Sequence, residues 1–113
     1  MSLGKKQEKF ARMYTLLLIY IHSLGYNVRL GHVLRCQDCK TGKDTSLHKL
    51  KLAADINLFK DDVYLTSAAD HKRFGLYWEE LGGSWGGRFG ESSPGAGDGW
   101  DGNHYSLEHN GYK

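Results

Sequence analysis

The chain has 113 residues, room for one compact domain and little more. Apolar residues make up 40% and charged residues 25%, an ordinary globular balance that excludes a low-complexity or disordered polymer. The net charge of +2 suits approach to an anionic polymer but falls far short of a nucleic-acid-binding signature.

In chain order, residues 6–23 read as a helix. Phe10, Met13, Tyr14, Leu17, Leu18 and Ile21 recur at the three-and-four spacing of one apolar face, and Gly25 supplies a stop. The run from Leu16 to Ile21 is well short of the roughly 20 residues that a membrane span needs. Although Lys5 and Lys6 precede it, Glu8, Lys9 and Arg12 intrude and no small-residue cleavage site follows, so no export signal is expected. Residues 26–34 form an expected first strand and 36–45 a polar loop. That loop carries Cys36 and Cys39, a single Cys-x-x-Cys with no second pair of ligands to complete a zinc knuckle. Incidental thiols are the favoured reading, ahead of a local disulfide or redox and metal chemistry.

Leu52 to Phe59 is the clearest strand. Leu52, Ala54, Ile56 and Leu58 share one face by period two, and Ala53, Asp55, Asn57 and Phe59 share the other. Asp61-Asp62 marks a turn into a short strand at 63–65. Thr66 or Ser67 can cap a second helix at 68–81, with Phe74, Tyr77, Trp78 and Leu81 on one side. Residues 81–102 hold nine of the fifteen glycines and the only proline, a composition expected to give a long mobile loop over a site. A final strand is expected from His104 to His109. The sum is an α+β domain over 1–113: two helices packed on a small, largely antiparallel sheet, with the glycine-rich loop before the last strand.

Two segments concentrate metal-binding and acid–base side chains: Ser46 to Asp55, and Trp100 to Tyr105. A catalytic zinc takes three protein ligands and keeps one position open, while a separate carboxylate moves the proton. His48, Asp55 and His104 can be the ligands and Asp101 the base. Asp55 lies on the strand face opposite the apolar stripe, next to small Ala53. His48 precedes Asp55 by seven residues and requires a turn around residues 49–51 to reach the same centre. Asp101 and His104 are three apart with flexible Gly102 between them.

These residues resemble the M15 metallopeptidases, whose pattern is Ser-x-His-x-x-Gly-x-Ala-x-Asp followed by Asp-x-x-His or Glu-x-x-His. Here the first motif is Ser46, His48, Ala53 and Asp55, and the second is Asp101 and His104; the family's glycine is Lys51. Gly75-Leu76-Tyr77-Trp78, Trp85-Gly86-Gly87 and Gly102-Asn103-His104-Tyr105-Ser106 look like a phage and prophage subgroup, so the resemblance covers nearly the whole chain. It implies zinc as cofactor and hydrolysis of an amide bond in the peptidoglycan stem peptide. An Asp three residues before the last His resembles the L-alanyl-D-glutamate endopeptidases; the alternative is a D-Ala-D-Ala carboxypeptidase. The family also places an arginine on the strand before the first motif, for which Arg35 is the better match and Arg29 the weaker. Ser46, Arg35 and Trp100 are the expected substrate contacts. The resemblance further implies a monomer, phage or prophage encoded, that is made in the bacterial cytoplasm and acts on the wall after release, without nucleic acid or membrane insertion.

Blander assignments compete. His22, His32, His71 and His109 read as surface or structural residues, and Asp98 is a rival carboxylate to Asp101. Glu79-Glu80 could suggest a glycosidase pair, but adjacent helical positions diverge by about 100°, so a solvated helix face is expected instead. Trp78 reads as core, and Trp85 and Trp100 as cleft candidates. A metal-stabilised wall-binding or structural module of a phage particle is the rival from another class.

Overall fold

The computed structural model describes residues 2–31, 47 and 50–113. Over these described residues it is an α+β fold in which two helices pack on a small antiparallel sheet of five strands. Helix α1 spans Leu3–Ser23, starting three residues earlier than the apolar periodicity alone indicates because Ser2 accepts from the Lys5 N–H as N-cap. Its buried stripe is Phe10, Met13, Leu17 and Ile21, and Gly25 at φ 86 follows its end. No helix among the described residues is long and apolar enough to cross a membrane.

Strand β1 is Asn27–Leu30, shorter than the expected 26–34, of which residues 32–34 lie outside the described residues, as does the whole expected loop at 36–45 with Cys36 and Cys39. Strand β2, Ala53–Lys60, is the centre of the sheet. Its Ala54, Ile56 and Leu58 are fully buried while Asp55, Asn57 and Phe59 are half-buried, which is the period-two division read from the sequence. β1 pairs antiparallel with β2, and β3, Val63–Leu65, folds back on its far end through Asp61 and Asp62. Both turn residues take positive φ, 51 and 66°, the pair of left-handed residues that a two-residue type I′ hairpin demands.

Helix α2, Ala68–Glu80, opens with a full capping box: Ser67 Oγ accepts from the Asp70 N–H, and the Asp70 carboxylate accepts from the Ser67 N–H. It buries His71, Phe74, Gly75 and Trp78. The glycine-rich segment departs from expectation. It contains strand β4, Ser84–Trp85, and a 3₁₀ turn at Gly86–Arg88, and it is pinned to the body of the protein. Arg88 makes a two-pronged ion pair to Glu79 at 2.9 Å and a further one to Glu91 at 3.2 Å, and Glu91 accepts the Gly97 N–H. Glu79 is therefore a partner in this tie and not part of a freely solvated face. Strand β5, His104–Ser106, inserts between β2 and β4, giving the order β1-β2-β5-β4; the expected continuation to His109 survives only as a bridge between His109 and Tyr112.

The core lies between the two helices and one face of the sheet. Phe10, Trp78 and Tyr105 meet edge to face, with centroids 5.6 and 6.0 Å from Trp78. The Trp78 indole N–H donates to the Ser106 carbonyl at 2.8 Å, so its one polar atom is satisfied. His71 shares a hydrogen bond of 2.9 Å with the buried Tyr105 hydroxyl. Burial depresses the His71 pKa to about 4, outweighing the opposing hydrogen bond to the Leu65 backbone and the charge of Asp70.

Because the folded value lies below the ordinary 6.5, the unfolded chain takes up this proton first as the pH falls. The stability that neutral His71 supports is thus complete above about pH 6.5 and is lost on the way down to 4. Denaturant titrations at pH 7.5 and 4.5 are expected to differ by about 2.5 kcal/mol from this residue. A His71→Asn variant, with no ring to titrate, starts less stable and shows a flatter acid limb.

Candidate functional site

The sheet has a second face, turned away from the helices, and the candidate residues gather there. Asp55 in β2 and His104 in β5 are direct cross-strand partners, so their side chains leave the sheet on the same side. The Ile56 N–H to Asn103 carbonyl bond at 2.9 Å carries the pairing one step beyond the strand and fixes its register. Asp101 arrives by a different route. The His104 N–H donates to the Asp101 carbonyl at 3.0 Å, closing a tight turn that folds the aspartate back beside the histidine ring.

The resulting distances are short. His104 Nδ1 is 3.5 Å from Asp55 Oδ1 and 3.8 Å from Asp101 Oδ2. The three side chains are 9%, 16% and 28% exposed, so accessibility rises from the histidine to Asp101. The negative charge of Asp55 reaches further: burial first, and that charge second, push the Tyr14 phenol up to about 12.

The scaffold beneath these residues is built from glycines and one tryptophan. Gly86 lies against the Asp101 carbonyl and the His104 Cβ so closely that a methyl group there would overlap both. Gly31 donates to the Asp55 carbonyl at 2.8 Å, and a Cβ on it would stand 3.1 Å from that of Asp55. Trp85 is 1% exposed, so it belongs to the core and not, as expected, to the cleft. Its indole N–H donates to the Gly102 carbonyl at 2.7 Å, inside the Asp101–His104 turn, while its ring rests on Gly75 of α2 and on Gly87. The 81–102 segment packs around Trp85 through Gly87 and Gly97, where an added Cβ would meet the ring.

Two aromatic rings complete the site. Phe89 lies 5.5 Å from the His104 ring, and Trp100, which is 77% exposed, lies 5.8 Å from Phe89. Asp98, the rival carboxylate, is spent inside the loop: it accepts from the Ser92 N–H at 2.8 Å and the Ser92 hydroxyl at 2.6 Å, which hold it below the usual carboxylate range. Arg29, the weaker of the two candidate arginines, stacks its guanidinium on Phe59 at 4.2 Å, opposite Asn57 and so on the Asp55 face.

Three expected site residues, Arg35, Ser46 and His48, lie outside the described residues. The Leu50 and Leu52 N–H groups both return to the Leu47 carbonyl, at 3.2 and 2.8 Å, so the chain bends immediately before β2. Lys51 sits in that bend at φ 61°, a left-handed conformation that glycine adopts freely and a side chain does not. Among the described residues no group of three or more His, Cys, Asp or Glu forms a metal cluster. The two expected ligands that are described do fit a shared ion: bonds of 2.0 to 2.2 Å at tetrahedral angles separate donor atoms by about 3.4 Å, close to the Asp55–His104 separation.

Sequence reasoning missed Phe89, Gly86 and the supporting role of Trp85. The run Trp85-Gly86-Gly87 was the available signal, since paired glycines beside a large ring mark close packing. No protein-family model matches the chain, and no curated protein sequence is significantly similar to it.

Lys51 generates a direct test. Replacing it with glycine relieves the left-handed strain, and Lys51→Gly is expected to raise stability by about 0.5–1 kcal/mol, read as a shift in the urea midpoint at constant slope. Lys51→Ala, which keeps a Cβ, is expected to leave the midpoint nearly unchanged.

Proposed function

We propose that this chain is a zinc-dependent peptidoglycan peptidase that hydrolyses an amide bond of the stem peptide, with the L-alanyl-D-glutamyl bond preferred. One observation carries the reading: two carboxylates, Asp55 and Asp101, stand 3.5 and 3.8 Å from the same nitrogen of a buried histidine, on the sheet face opposite the aromatic core. Two anions converging on one imidazole make a site that favours a cation. The left-handed Lys51, standing where the M15 pattern has glycine, supports the same assignment from an independent direction.

In this reading Asp55 and His104 hold zinc together with His48. Zinc would supply Lewis acidity toward water and toward the carbonyl under attack. The chain's own residues divide the remaining work by exposure. Asp55 and His104 are fixed by strand pairing and shielded, as ligands need to be. Asp101 is the most exposed of the three and stands on a turn beside the site, where its carboxylate can take a proton from water and deliver it to the departing amine. Arg35 would steady the developing oxyanion, and Ser46 and Trp100 would contact substrate.

A D-Ala-D-Ala carboxypeptidase of the same family is the nearest alternative, and it differs in requiring a free terminal carboxylate. A phage wall-binding or structural module would use the metal for stability alone. The chain would be phage or prophage encoded, and would act on the wall as a monomer after release from the cytoplasm.

Mass spectrometry of peptidoglycan digests separates these readings. The endopeptidase releases stem peptides with a new D-glutamate amino terminus, stops with chelator and resumes with zinc. Loss of terminal D-alanine alone transfers the assignment to the carboxypeptidase. Asp101→Asn is expected to lower turnover by 10²–10⁴-fold while bound zinc stays stoichiometric, whereas His104→Ala loses both. A zinc-stabilised protein with no product in any digest rules out an enzyme.

A further inference from the structure

From the aromatic wall beside the site we infer that the substrate is a stem peptide still attached to its glycan, with Trp100 as the platform for the muramyl sugar ring. The inference rests on the peptidase reading above and names the substrate class for that site. Trp100 is 77% exposed, more than any other large hydrophobic side chain among the described residues, although it directly precedes Asp101.

The backbone that carries the ring is anchored. The Trp100 N–H donates to the Phe89 carbonyl at 3.0 Å, and the preceding Gly99 N–H donates to the Gly87 carbonyl. Gly90, at φ 68°, brings its backbone against the indole, with a Cβ position only 3.2 Å from Trp100 Cδ1. Phe89 tilts against Trp100 on one side and against His104 on the other. Such a wall costs little further ordering when a flat ligand settles on it.

The ligand chemistry follows from shape and reach. An indole face is electron-rich and uncharged, and a pyranose ring offers it a sheet of weakly positive C–H bonds, whereas a short peptide backbone offers no comparable flat apolar surface. The wall runs from His104 to Trp100 in two ring-to-ring steps of 5.5 and 5.8 Å. In a glycan-linked stem peptide, the first alanine and the lactyl ether separate the L-alanyl-D-glutamyl carbonyl from the centre of the muramyl ring by roughly 8 Å. The two steps keep the Trp100 ring within about 11 Å of the His104 ring, so a span of this order can join the two. A terminal D-alanine lies several residues further from the sugar, so the same platform would be out of range for a carboxypeptidase.

The test is the ratio of kcat/KM for an N-acetylmuramyl peptide to that for the same peptide without sugar, measured with zinc. The wild-type chain is expected to favour the muramyl peptide by roughly tenfold, Trp100→Phe to keep part of that preference, and Trp100→Ala to bring the ratio close to one. Because the side chain is mostly solvent-exposed, neither substitution threatens the fold. A wild-type ratio near one, or a ratio that Trp100→Ala leaves intact, overturns the inference while leaving the peptidase reading standing. A wild-type chain that cleaves neither substrate overturns both.

Discussion

Antiparallel pairing of β5 with β2 is the constraint on which the rest of this protein turns. It places Tyr105 and Ala54 on one side of the sheet and Asp55 and His104 on the other, in a single register. Because side chains alternate with period two, a slip of one residue would send His104 into the core and Tyr105 onto the site face. The buried hydrogen bonds of Tyr105 with His71, and of the Ser106 carbonyl with Trp78, make that slip costly. Core packing on one face therefore enforces the relation between the polar residues on the other.

Trp85 performs the matching task for Asp101. A ring of this size cannot lie flat against a helix carrying ordinary side chains, and α2 accordingly has Gly75 at the contact. A glycine inside a helix costs about 1 kcal/mol relative to alanine, offset here by complete burial of the indole. The same ring supplies the hydrogen bond to Gly102 that holds the Asp101–His104 turn. Around it, Arg88 joins α2 to Glu91, and Lys72 of α2 donates to the Ala96 carbonyl, so the segment before β5 is tied at several points. Ion pairs of such accessibility contribute modestly to stability; their effect is to restrict where the loop can go.

The chemistry proposed for the site grows out of this mechanical arrangement. Strand pairing fixes Asp55 and His104 with little freedom, which suits residues that share an ion. A turn fixes Asp101 less rigidly and leaves it more exposed, which suits a group that exchanges protons with water. Phe89 and Trp100 extend the same loop outward, so one glycine-rich segment supports both the proposed base and the proposed sugar platform.

By itself the sequence determined the two helices, the central strand with its two-faced pattern, the Asp61-Asp62 hairpin and the α+β class, because each rests on local periodicity, capping or turn chemistry. It also singled out Asp55, Asp101 and His104, since residue type and spacing are local properties. Tertiary structure alone decided that Asp55 and His104 are register partners, a relation between residues forty-nine apart that no local pattern encodes. It decided, too, that Gly83, Gly86, Gly87, Gly99 and Gly102 stand where a side chain would collide with the fold. Composition records how much freedom a backbone has when isolated, and only the neighbours brought in by the fold, Trp78, Trp85 and the Asp101 carbonyl among them, show where that freedom is spent.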